Sequence, residues 1–133
     1  GFADPLSGGL NRQEAAALAL VGSRFRLHGR DPATGLDCVG VAALSIGVEA
    51  PTGYALRGGD PSAIATLLTA IGLVEVGCSE PGDVLLMRTG PAQLHLGVRT
   101  RRGLVHADAA LRRVVERPGS PEWEVVSIWR RLS

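Results

Sequence analysis

Cys38 is preceded by Asp37 and followed by the small apolar run Val39-Gly40-Val41-Ala42-Ala43. Aspartate is a good helix N-cap, so the pattern predicts a helix of roughly residues 38–47 with Cys38 at its first position. A helix start offers unsatisfied N–H groups and a partial positive charge, which favour thiolate over thiol. The competing reading is that Cys38 is simply a small core residue. Two histidines could complete a nucleophilic site. His95 alternates with Leu94, Leu96 and Val98, so it points away from their face, and Gly97 shares its side and leaves space beside the ring. Arg101-Arg102-Gly103 then suggests a tight hairpin. A two-residue loop sets Gly97 opposite His106, and a four-residue loop sets Arg99 opposite it. Either register places His95 and His106 on one sheet face. Cys38 would then be the nucleophile and His95 the general base, provided the helix packs on that face. Either His106 or Asp108, which share strand parity, would orient His95.

The same residues permit other uses. Zinc would draw on Cys38, His95, His106 and His28, but no CxxC, HxxxH or HExxH spacing is present. His28 reads as a solvated or locally bonded residue of a Gly- and Arg-rich loop. Cys78 reads as a loop or strand-end residue without a role, although a Cys38–Cys78 bridge would inactivate the thiol. Arg24, Arg26 and Arg30 are either ordinary solvated arginines or a basic rim that receives substrate carboxylates.

The elements that must position these groups follow from capping and period. Asn11 and Glu14 have capping-box spacing before an Ala- and Leu-rich run, Gln13–Val21, which reads as a helix. Residues 24–36 read as loop. Asp60 and Pro61 open a third helix that runs to Ile71. From Pro81 the period becomes strand-like, with five strands: Val84–Arg88, Leu94–Thr100, Gly103–Asp108, Val114–Arg117 and Val125–Arg131. Helices first and strands second predict an α+β fold with an antiparallel sheet of about five strands. Residues 1–9 form a lead-in and residues 10–133 a single domain.

Composition narrows the function classes. The chain has 133 residues, 45% hydrophobic and 20% charged, with a net charge of +1. That is one domain with its own core rather than a disordered chain. The balanced charge gives no bulk attraction to nucleic acid or anionic membrane. All 14 basic residues are arginine, a coding bias rather than a chemical signal. Two cysteines make no disulfide framework. No apolar run is long enough for a membrane span, and no signal peptide is read at the start.

In order along the chain, several segments resemble the NlpC/p60 cysteine peptidases. Gly35-Leu36-Asp37-Cys38-Val39-Gly40-Val41 is similar to that family's nucleophile segment, Asp-Cys-Ser-Gly followed by apolar residues. Residues 21–30 resemble its Gly-x-x-Tyr-x-x-Gly-Gly stretch. Pro81-Gly82-Asp83-Val84-Leu85 resembles its Pro-Gly-Asp strand start, and Leu94-His95-Leu96-Gly97-Val98 its His-Val-Gly-Ile strand. Leu104-Val105-His106-Ala107 resembles the strand that supplies its third polar residue. The resemblance spans residues 12–131. It implies a papain-like α+β fold and a Cys38–His95–His106 site, with His106 rather than Asp108 as third member. It also implies hydrolysis of peptidoglycan stem peptides, usually between D-glutamate and a diamino acid, with no cofactor. Phe25, Asp37 and Arg30 are the residues expected to face substrate.

Two departures stand out. Val39 replaces the family's serine and Phe25 its site tyrosine, so the oxyanion is left to the backbone N–H of Cys38. Small size and the lack of a wall-binding repeat suggest a phage-tail or gene-transfer-agent setting, with phage-particle proteins as partners and the bacterial wall as the place of action. Two alternatives use the same fold. One is a catalytically silent particle or wall-binding module. The other is an amidase or acyltransferase that uses the same Cys–His pair.

Overall fold

A computed structural model of the chain describes residues 11–49, 56 and 58–132. The expected lead-in, residues 1–9, lies outside them. The described elements are three helices, α1 (Arg12–Ala19), α2 (Cys38–Ile46) and α3 (Pro61–Ala70), and eight strands. The first two strands, β1 (Arg30–Asp31) and β2 (Gly35–Leu36), pair as a small antiparallel ribbon. The other six are β3 (Leu73–Val76), β4 (Val84–Gly90), β5 (Gln93–Arg99), β6 (Gly103–Asp108), β7 (Arg113–Pro118) and β8 (Glu124–Arg131). They form one antiparallel sheet in the order β3-β8-β4-β5-β6-β7. The expected α+β architecture is present, with six strands in the sheet instead of five.

Each helix begins where its capping residue predicts. The Asn11 side chain accepts a hydrogen bond from the Glu14 N–H at 2.7 Å, Asp37 from Gly40 at 2.9 Å, and Asp60 from Ser62 at 2.9 Å. These caps satisfy N–H groups that the first turn leaves open. Two expectations change. Residues 24–36 are not a plain loop, because β1 and β2 lie within them and Phe25 bridges to Leu36. Leu73–Val76, read as part of no strand, pairs with Ile128–Arg131 of β8.

The main core lies between the helices and one sheet face. Val39, Val41, Ala42 and Ile46 of α2 meet Leu94, Leu96, Val98, Val105 and Ala107, with Ile64 and Leu68 of α3 alongside. A second, smaller cluster covers the opposite face: Leu85, Met87 and Leu104, with Trp123 and Ile128 packed on it.

The connection from β7 to β8 explains why that second face is enclosed. Four inter-strand spacings separate these strands, about 19 Å in a flat sheet. By register, Pro118 sits level with Gly103, at the end of the sheet opposite Glu124, which pairs with Arg88. That adds roughly 20 Å along the strands. Six Cα steps from Pro118 to Glu124 reach only about 20 Å. The sheet must therefore curl, and the connector crosses inside the curl with little slack. Register shifts at Arg88/Gly90 in the β4–β5 pairing and at Leu86/Met87 in the β4–β8 pairing supply local bends.

Candidate active site

Asp37 organises the start of α2. Its Oδ1 accepts from Gly40 N–H and from the Arg30 guanidinium at 2.8 Å, and its Oδ2 accepts from His28 N–H at 3.0 Å. Gly40 lets the loop come this close, since a Cβ there would collide with the Gly29 carbonyl. The result is a rigid first turn with Cys38 at its head, buried at 5% exposure.

The two histidines sit on the β5–β6 hairpin. Val98 faces Val105 and Arg99 faces Leu104, the register of a two-residue loop. The turn is fastened from both sides. Glu14, 1% exposed, accepts the Arg101 N–H at 2.7 Å. Thr100 Oγ1 donates to Glu116 at 2.7 Å and accepts from Gly103 N–H. On this frame His95 Nε2 lies 2.9 Å from His106 Nδ1. Asp108 does not compete for that position, because its Oδ1 accepts the N–H groups of Ala110 and Leu111.

One expectation about packing is corrected. α2 does not lie on the histidine face but on the opposite one, with Leu94, Leu96 and Val98. The histidines share the side of Met87, which pairs directly with His95. Nor is the place beside Gly97 open, since Leu104 and Met87 fill it. The thiol reaches the histidine side through a seam. β5 and β6 are laddered only at the two pairs nearest the turn. Further along, the Leu96 backbone amide favours the charged form of the Cys38 thiol instead. Cys38, His95 and His106 consequently line one cleft of about 640 Å³, together with Phe25, Leu94 and Trp123.

Burial dominates the electrostatics. It pushes the Cys38 thiol up to about 12, against the Leu96 hydrogen bond and Arg30, and the Asp37 carboxylate adds to the rise. Burial and the neighbouring His106 bring His95 down to about 4, and Asp108 and Asp37 only partly offset this. Burial lowers His106 as well. Burial thus works against the helix-start thiolate expected from sequence and favours the neutral thiol and neutral imidazoles. A neutral thiol beside a neutral imidazole still supports general-base attack, with the proton moving as the sulfur bonds to carbon.

The remaining expected residues are placed as follows. Phe25 is half-buried and lines the cleft. Asp37 lines it too, but its carboxylate is occupied by the three bonds above. Arg30 is not on the cleft wall; its guanidinium bonds Asp37 and the Gly29 carbonyl. The exposed His28 lines the cleft. Cys38 and Cys78 are both free, the first buried and the second exposed, so no bridge joins them. No group of three or more His, Cys, Asp or Glu side chains among the described residues is arranged to hold a metal ion. No helix among them is long and apolar enough to cross a membrane. Asp83 of the Pro-Gly-Asp segment is structural: 2% exposed, it takes two hydrogen bonds from Arg130 and one from Glu80 N–H. Sequence reasoning missed Trp123, which stands edge-on to both histidines. Its one signal was a large aromatic in the turn-rich stretch Gly119-Ser120-Pro121-Glu122.

No family model matches this chain, and no curated protein does. Among solved structures, it is similar to the NlpC/p60 domain of the peptidoglycan hydrolase SagA. The two are 22% identical, with a TM-score of 0.55, over 86% of this chain and 95% of that one. The likeness covers most of both chains, and it establishes that this chain has the NlpC/p60 fold.

Proposed function

We propose that the chain is a cysteine peptidase acting on peptidoglycan stem peptides, at the bond between D-glutamate and a diamino acid. The observation that carries this reading is one cleft lined by a helix-start cysteine and a hydrogen-bonded histidine pair. The peptidoglycan-hydrolase neighbour supplies the substrate class. His95 Nε2 is engaged by His106, which leaves Nδ1 to take the thiol proton. Sγ of Cys38 bonds to the scissile carbonyl carbon, and the backbone N–H at the head of α2 stabilises the oxyanion. The leaving amine takes the proton from His95, and water then hydrolyses the thioester. His106 accepts the Nε2 hydrogen and steadies the imidazolium while it exists.

Digestion of a defined disaccharide–tetrapeptide, followed by mass spectrometry, tests the reading. The expected product carries a new amino terminus on the diamino acid, and Cys38→Ala abolishes it. Cleavage at the sugar–peptide link would favour the amidase reading. An intact substrate after incubation with folded wild-type protein would favour the silent module, a reading to which the neutral, buried thiol lends some weight.

A further inference from the structure

We infer that Trp123 is a positioning residue for the His95–His106 pair, set in place by the connector between β7 and β8. The catalytic consequence rests on the peptidase reading; the geometry does not. The three rings form a closed triangle. Centroids are 5.0 Å apart for His95–His106, 5.6 Å for His95–Trp123 and 5.2 Å for His106–Trp123, with interplanar angles of 89°, 82° and 81°. Such edge-to-face contacts favour one orientation of each ring. That matters because the outer torsion of histidine is broad and roughly two-fold. One hydrogen bond between two imidazoles does not by itself decide which edge His95 turns to the thiol. A wall against both rings removes the alternatives.

Trp123 is itself well held. The Arg117 guanidinium lies 5.6 Å from its ring centre, anchored by Glu122 at 2.8 Å. Beneath it are Leu85, Met87 and Leu104. The connector crosses the curled sheet with little slack, so the indole has little room to withdraw. The charged groups around the pair are Asp37 and Asp108 toward His95, and Asp108, Arg117 and Glu122 toward His106. None of them is hydrogen-bonded to either imidazole, which leaves the bond between the two rings and the packing around them to hold the pair.

The experiment compares Trp123→Phe, Trp123→Leu and Trp123→Ala with wild type by two readouts. One is the histidine titration and tautomer state, from nitrogen-15 NMR of the free protein. The other is turnover of the stem peptide against pH. Trp123→Phe is expected to stay near wild type. Trp123→Ala is expected to move the His95 midpoint from about 4 toward 6.5. It should also lower kcat about tenfold, with KM changed far less. Trp123→Leu, which keeps apolar volume without a ring, should fall between, and it decides the matter if the alanine variant does not fold. An unmoved His95 midpoint and tautomer in Trp123→Leu and Trp123→Ala would overturn the proposal. So would a kcat loss that vanishes once folded fractions are equalised. Should wild type cut no stem peptide, the peptidase reading fails alone, and the NMR arm still decides the role of Trp123.

Discussion

The two faces of the central sheet contribute to one cleft by different means. On one face, α2 presents Cys38 from a helix whose start is fixed by Asp37 and whose body lies in the main core. On the other, His95 and His106 sit in a small cluster closed by one aromatic from a distant connector. The helix start that presents the thiol depends on contacts within a dozen residues along the chain. The imidazoles depend on β-pairing and on a crossover. Local order and long-range order therefore carry separate parts of the same chemistry, and each can be disturbed alone.

The largest effect should come from the histidine face. His95→Ala removes the proton acceptor and is expected to cut kcat about 10⁴-fold, while the α2 core stays intact. Stem-peptide turnover beside a urea melt checks this. A loss below tenfold would mean that the thiol acts without His95.

Acid should separate the faces next. His95 has a folded value of about 4 against 6.5 unfolded. Between those pH values the unfolded chain binds a proton that the folded chain refuses, so stability falls as pH falls. The full contribution, complete below about pH 4, is on the order of 3 kcal/mol, and His106 adds in the same direction. Urea unfolding at pH 7 and pH 4.5 should show the loss in wild type and much less of it in His95→Asn. Equal losses would place the acid sensitivity elsewhere.

The smallest effect belongs to the helix face. Asp37→Ala removes the α2 cap and should cost about 1–2 kcal/mol, read as a lower urea midpoint at unchanged slope. Asp37→Asn keeps the capping oxygen and should recover most of it. If Asn loses as much as Ala, the Arg30 ion pair rather than the cap holds the turn.

The same division governs what the sequence reveals. Asn11, Asp37 and Asp60 announce their helices because a cap needs only neighbours. The hairpin loop at Arg101-Arg102 places His95 and His106 together because its length sets the register. Period cannot say which face α2 covers, since parity distinguishes two faces without naming either. β3 escapes because Leu73–Val76 is a strand by virtue of β8, more than fifty residues later. Trp123 escapes because its ring partners are 17 and 28 positions away. The neutral thiol escapes because burial belongs to the whole fold, while the helix-start argument sees one turn. A phage-tail or gene-transfer-agent setting has no residue of the site behind it.

The strand order carries a last consequence, for the time at which the cleft comes into being. β3 pairs only with β8, and β8 separates it from β4. A ribosome delivers Cys38 first and the two histidines well before Trp123 and the strand that follows it. Until β8 slides between its neighbours β3 is cut off from the rest of the sheet, and the connector has nothing to pull against. Such late, distant pairing is slow compared with helix formation. The nucleophile is thus translated early and armed last, so a chain stalled before residue 124 would carry every proposed catalytic side chain and no working site.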